Sequence, residues 1–236
     1  FFFYNLSFDT LIAELKPPLS TNHRESIVVA TGSESREPRA LRTYLSQVRH
    51  RLEIDVIDVF YAEYVAPGED MDVLFGPGGV FDELHRWKAQ GLIRYVGATA
   101  HNRSLAVKLI ESGQIEVLMH RYNMAHRGAE ERVLPEALAA GIPVVAFTCT
   151  RWGSLLAGHP EWAGPAPSAA DCYRYVLHHP AVHLALTAPT TVAQLKENLA
   201  TLKTRTEHDK KQLSLWEAYG KLVYGDGSSA FDTQWP

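Results

Sequence analysis

The polar side chains with the clearest chemical potential lie where short apolar runs end. Glu63 follows the run Val56–Ala62. A carboxylate sheltered against apolar surface has its pKa raised by desolvation, so it can hold a proton near neutrality and serve as a general acid. Its plainer reading is a salt bridge to a loop cation. Thr99, His101 and Asn102 lie at the end of Tyr95–Thr99. They suit hydrogen bonding to a small polar ligand, and His101 is also a candidate acid or base, although a loop histidine is more often a surface residue. His120 and Arg121 close the run Glu116–His120, and alternation turns one of the two inward. Arg121 suits an anionic substrate or an ion pair with Glu130 or Glu131. Thr190, Thr191, Gln194 and Asn198 straddle the start of an amphipathic stretch. Free backbone N–H groups there favour anions, and the same residues also make an ordinary cap.

The elements that must position these groups follow one pattern. Strand-length apolar runs recur at Phe1–Phe3, Ser26–Thr31, Val56–Ala62, Tyr95–Thr99, Glu116–His120, Pro143–Thr148 and Val182–Ala188. Runs of this kind suit strands buried on both faces of a parallel sheet. Between them lie helical stretches at Leu6–Leu15, Arg39–Leu52, Val80–Gln90, Ser104–Glu111, Glu130–Ala139, Ala169–His178 and Val192–Leu202, with a last one near Lys210–Tyr224. Leu41, Leu45, Val48 and Leu52 make one helical face. Gly91, Gly113 and Gly141 stand where helices end, and Thr190 or Thr191 is placed to cap the last barrel helix.

Such alternation means a parallel sheet with crossover helices. The expected fold is one (β/α)8 barrel domain over residues 1–236, with seven strands in this chain. The opening Phe1-Phe2-Phe3-Tyr4 reads like the inside of a buried strand, so the barrel's first strand and the N-terminal part of the native protein are expected to be missing. An open dinucleotide-binding sheet loses support because no Gly-x-Gly-x-x-Gly follows a strand. The long segments Val65–Gly79 and Arg151–Ser168 read as loops at the strand ends, where barrels build their sites.

Composition narrows the function. The net charge of −4 and the scattered Lys and Arg argue against nucleic acid. No metal-ligand spacing is present, and no apolar run is long enough to span a membrane. Two cysteines, Cys149 and Cys172, fit a reducing compartment, so a cytoplasmic protein is expected.

Several stretches resemble the aldo-keto reductase superfamily. Leu52-Glu-Ile-Asp-Val-Ile-Asp-Val-Phe60 is similar to its fourth strand. Leu84-His-Arg-Trp-Lys-Ala-Gln-Gly-Leu-Ile-Arg-Tyr-Val-Gly97 is similar to its Leu-x-x-Gly-Lys-Ile-Arg-x-Val-Gly stretch, the most specific match. Tyr122-Asn123 matches a Tyr-Asn pair. Val144-Val-Ala-Phe-Thr148, with Gly153-Ser-Leu-Leu156, resembles the strand and loop that hold the pyrophosphate. Leu186-Thr-Ala-Pro-Thr-Thr-Val-Ala-Gln-Leu-Lys-Glu-Asn198 resembles the final dinucleotide-binding segment.

The resemblance implies hydride transfer from a nicotinamide to a small carbonyl or activated C=C substrate. It also implies altered catalytic residues. The family's His position falls on Glu63, its Lys position on Gly32, and its Asp and Tyr positions on Phe3 and Phe8, with Tyr4 one residue out of register. A Phe donates no proton, and a Gly tunes no phenol. A relative that reduces steroid C=C bonds has the same His-to-Glu change but keeps its Tyr. The implied catalytic residues are therefore Glu63, Tyr4 and His101. Thr99, Asn102 and Met119 take the carboxamide-binding places, although a Met there reads first as core filler. Phe147 takes the place of the stacking aromatic. Thr148, Arg151 and Gly153 lie along the pyrophosphate, and Thr190, Thr191, Gln194 and Asn198 lie at the far end of the cofactor. Lys196 near that end tips the cofactor expectation to NADPH over NADH. Two alternatives stand beside the reductase. One is a cofactor-free lyase or isomerase using Glu63 and His101. The other is a binding or regulatory protein on the same scaffold, as the potassium-channel β-subunits partly are.

Overall fold

A computed structural model of the chain describes residues 2, 6–20, 23–203 and 210–227. The chain forms two compact units, Phe1–Ala100 with Ser112–Val117, and His101–Glu111 with Leu118–Pro236. Among the described residues no helix is long and apolar enough to cross a membrane, and both cysteines are buried free thiols.

The first unit contains α1 (Asp9–Ser20), β1 (Ala30–Ser33), α2 (Pro38–Leu52), β2 (Ile57–Val65), α3 (Met71–Phe75), α4 (Val80–Ala89) and β3 (Ile93–Ala100). β1, β2 and β3 are parallel neighbours, with Gly32 opposite Tyr61 and Tyr61 opposite Gly97. Phe2 adds a single parallel bridge to Ala30, while Phe1, Phe3 and Tyr4 lie outside the described residues. The strand expected at Ser26–Thr31 starts only at Ala30. Residues 24–26 make a 3-10 turn, and Arg24 binds the carbonyls of Ile27 and Val56 at 2.9 and 2.5 Å.

α2 forms where expected. Glu37 caps it by accepting from the N–H groups of Arg39 and Ala40, Pro38 opens its first turn, and Leu41, Leu45, Val48 and Leu52 are buried. Gly91, Gly113 and Gly141 all have positive φ after their helices. α3 falls inside a segment expected to be loop, started by the side chain of Asp70 accepting from Asp72 N–H.

The outer face of this sheet packs apolar side chains on helices. Phe60 meets Trp87 edge-on at 5.2 Å and Tyr44 at 6.3 Å. Two buried carboxylates are matched by cations. Asp58 lies 2.9 Å from Arg24 and 3.1 Å from Arg94, and Glu83 is bonded by Arg42, Arg86 and Trp87.

The second unit contains α5 (Arg103–Glu111), β4 (Val117–Arg121, save its first residue), α6 (Val133–Ala139), β5 (Val144–Phe147), α7 (Ala169–His178), β6 (Val182–Ala185), α8 (Val192–Leu199) and α9 (Lys210–Tyr224). β4, β5 and β6 are again parallel and in chain order. α6 begins three residues later than expected. Its predicted start falls in a 3-10 turn over Gly128–Glu130, and the Glu130 carboxylate accepts from Tyr122, Tyr175 and Arg127. Glu130 is thereby matched by Arg127. α9 runs where the sequence placed it. A Cβ at Gly220 would collide with the Met124 carbonyl, so only glycine lets this helix lie on that backbone.

Candidate active site

In the first unit the chemistry gathers at the end of β2. Side chains alternate along the strand, so Tyr61 and Glu63 share one face. That face meets glycines on both neighbouring strands. The Tyr61 ring occupies the space a side chain at Gly97 would need. A Cβ at Gly32 would lie 2.6 Å from both Cγ and Oε1 of Glu63, and 2.7 Å from the Tyr61 carbonyl. The Glu63 carboxyl therefore sits in the hollow that Gly32 leaves.

Glu63 is half-buried, and its Oε1 has no hydrogen-bond partner among the described residues. Burial raises its pKa to about 7, the nearby Glu34 adds to the rise, and Arg36 opposes it. Half the group is thus protonated near neutrality. Its backbone is held on both sides. Arg36 Nη2 donates to the Glu63 carbonyl at 2.9 Å while its guanidinium also binds Glu69. The next residue, Tyr64, is at positive φ, and its N–H donates to Thr99 Oγ1 at 2.6 Å. Thr99, expected to bind a ligand, is buried and here fixes the end of β2. Phe8 is 38% exposed, on the turn leading into α1. The sequence noted Gly32 and Glu63 as two separate departures from a family pattern. Their contact across strands, and the roles of Arg36 and Tyr61, were missed.

In the second unit Met119, Arg121, Val145 and Phe147 share a sheet face through the pairs Met119 with Val145 and Arg121 with Phe147. His101 packs its ring on Phe147 at 5.1 Å between centroids, so Arg121 rather than His120 is on the side of the candidate residues. Arg121 and Met119 are buried. His101 is pushed down to about 4, first by burial and then by the Arg121 charge. His126 is pushed down to about 3 by burial and by Arg121 and Arg151. Both rings are neutral at pH 7. Asn102 starts α5, its side chain accepting from Leu105 N–H at 2.9 Å.

The turn after β5 has an unusual backbone. Thr148, Arg151, Trp152 and Gly153 all have positive φ, a cost that three of them, not being glycine, bear sterically. Asn123 ties this turn down by donating to the Thr148 carbonyl at 2.8 Å. Thr148 Oγ1 is buried with no partner among the described residues. Arg151 is buried, its Nη1 donating to the Val223 carbonyl at 2.5 Å, so it anchors α9. At α8, Thr191 is the cap, accepting from Gln194 N–H, and Thr190 donates to Gln194 Oε1 through both N–H and hydroxyl. Asn198 donates to Thr187 at 2.6 Å. Tyr4 lies outside the described residues. No cluster of metal ligands occurs among the described residues.

The family model of the aldo/keto reductase family matches residues 8–161, well over half of the chain. The chain belongs to the aldo/keto reductase family. The matched region holds Glu63, Thr99, His101, Asn102, Met119, Phe147, Thr148, Arg151 and Gly153. The group from Thr190 to Asn198 lies beyond it. The NADH-specific methylglyoxal reductase of Escherichia coli (strain K12) is 24% identical over 118 residues, which is 50% of this chain and 35% of that protein, so the match spans about a third of the relative's length. Among solved structures, aldo-keto reductase AKR11C1 from Bacillus halodurans is similar in its apo form (18% identity, TM-score 0.72) and its holo form (20%, 0.71). Each match covers 88% of this chain and 76% of the neighbour. These likenesses show the fold, the parallel α/β barrel of the aldo-keto reductases, in agreement with the alternating pattern of the sequence.

Proposed function

We propose that this chain is an NAD(P)H-dependent oxidoreductase, on a single barrel domain, that reduces a small carbonyl or activated C=C substrate with Glu63 as its acid. The observation that carries the reading is the Glu63 carboxyl in the Gly32 hollow, raised to about 7. A carboxylic acid kept protonated at neutral pH supplies the proton that Phe3 and Phe8 have no group to give.

The cofactor implied by the family fits residues of this chain. Thr148 Oγ1 is a buried hydroxyl in want of a partner, beside the half-buried Phe147 ring and a turn with strained backbone. Phe147 would stack on the nicotinamide ring, with Thr99, Asn102 and Met119 in the carboxamide places. Thr148 and Gly153 would bind along the diphosphate, and Thr190, Thr191, Gln194 and Asn198 at the far end. When bound, the nicotinamide supplies a hydride. Glu63 gives its proton to the oxygen or carbon that gains negative charge, and it regains a proton from water. Arg36 and Thr99 hold the Glu63 backbone still. His101, neutral at pH 7, orients the substrate as a hydrogen-bonding group. Lys196 favours NADPH, whereas the methylglyoxal reductase is NADH-specific by name, so both cofactors belong in the test.

The test is a titration of NADPH and NADH into the full chain, followed by turnover of aldehydes and enones from pH 5 to 9. Saturable binding weakened severalfold by Thr148→Val is expected. Turnover should fall as pH rises through about 7, and Glu63→Gln should lower it by about 100-fold or more. Absence of binding by folded protein, or turnover indifferent to Glu63, would overturn the reading. The His101 ring on Phe147 favours one second reading, a cofactor-free lyase or isomerase in which His101 already occupies the aromatic face. It predicts no nicotinamide binding, with His101→Asn abolishing activity.

A further inference from the structure

A second hollow, of about 560 Å³, lies wholly within the second unit, between the segment 161–167 and α9. It shares no residue with the candidate active site. Its walls include Trp162, Pro165, Leu215, Trp216 and Tyr219. The polar atoms of two of these rings are already engaged. Trp162 Nε1 donates to the Pro165 carbonyl at 3.1 Å, and the Tyr219 hydroxyl donates to the Leu155 carbonyl at 2.9 Å. Trp162 packs edge-to-face on Tyr219 with centroids 5.3 Å apart, and Trp216 packs likewise on Tyr175 at 6.3 Å. Trp162 is half-buried and gives the hollow most of its aromatic surface, while Trp216 and Tyr219 are buried and close it from beneath.

The charge of the lining has one sign. Glu161 and Asp171 line the hollow, and among the described residues no Lys or Arg does. Asp171 is matched by Arg174 at 2.5 Å and by Ser168, so its charge is balanced. Glu161 enters no ion pair among the described residues, and it stands next to Trp162 in the chain. An anion finds no donor cation in this lining. A strongly hydrated ammonium loses more hydration on entering a mostly apolar lining than a weakly hydrated cation does. A weakly hydrated organic cation meets both conditions, because its methyl groups pack on aromatic faces while its charge is drawn to the rings and to the carboxylate.

We infer that the hollow under segment 161–167 is a binding site for a quaternary ammonium or similarly alkylated organic cation. Trp162 and Trp216 form its walls, and Glu161 supplies the opposing charge.

The test is calorimetric titration of the full chain with choline and with 3,3-dimethylbutan-1-ol, its uncharged isostere. Choline should bind saturably, and the isostere about tenfold or more weakly. Trp162→Leu and Glu161→Gln should each weaken choline severalfold while leaving binding of the isostere nearly unchanged in the Glu161→Gln protein. The second variant alters an exposed side chain, so its effect is read without concern for folding. Equal affinity for the two probes, choline binding that survives both variants, or no binding of choline would each overturn the assignment.

Discussion

At the level of single residues, Gly32 and Glu63 form one feature. A glycine on one strand admits a carboxyl from the next, and that carboxyl is held where water reaches it poorly. Gly32→Ala would place a methyl 2.6 Å from Glu63 Cγ and Oε1 and 2.7 Å from a carbonyl oxygen that cannot swing away. The variant should lose about 1–3 kcal/mol of stability by overpacking, together with most of any Glu63-dependent turnover. Adding Glu63→Ala should recover only part of the stability, because the Tyr61 carbonyl stays in place. Denaturant melts of the single and double variants check this. Full additivity would mean that the two positions do not meet. The residue types were visible in the sequence, where Glu63 stood out at a strand end. That it answers to Gly32, thirty-one positions earlier in the chain, depends on strand register, which no local pattern carries.

At the scale of elements, capping and periodicity explain most of what formed. α2 carries its apolar face in plain view, while its Glu37 cap and its start at Pro38 came from the structure. α9 was legible as a helix, but its position was not, since that depends on one missing side chain. Gly220→Ala would press a methyl into the Met124 carbonyl and lever α9 off residues 124 and 125. Helix propensity alone favours alanine by roughly 1 kcal/mol. The expected outcome is therefore a net destabilisation despite better propensity, with faster amide exchange along Lys210–Tyr224. A stabilised variant would contradict the packing described. The elements that escaped the sequence are short. α3 is a five-residue helix on an Asp70 cap, and the 3-10 turn before β1 is set by Arg24 reaching two carbonyls.

At the scale of the whole molecule, the buried titrating groups oppose one another. Glu63 is raised from an ordinary 4.5 to about 7. Its contribution is full below 4.5 and is lost as pH rises through 7. His101 and His126 are lowered from 6.5 to about 4 and about 3. Their contribution is present above 6.5 and is lost as pH falls from there toward those values. Two histidines outweigh one glutamate on the acid side, so thermal stability should rise from acid pH and level off near pH 7, where the opposing contributions balance. Glu63→Gln should steepen the rise between pH 4.5 and about 7, and a double His101→Gln, His126→Gln variant should leave a profile that falls across that range. Melting temperatures across pH 4–9 decide this. A parent profile that falls between pH 4.5 and 6.5 would show that these three groups do not govern it.

The sequence by itself determined the alternation of strands and helices, the principal helical faces and caps, and the family, because each is written in local spacing or in ordered short motifs. It also marked Glu63, Phe147 and the Thr190–Asn198 segment as places to look. Only the tertiary structure decided what those residues touch. It placed Glu63 over Gly32, set Thr99 to work on the Tyr64 backbone, turned Arg121 toward the Phe147 face, and tied Arg151 to α9. Contacts between residues distant in the chain follow from register and close packing, and a strand slipped by a single residue would exchange the partners of its own side chains.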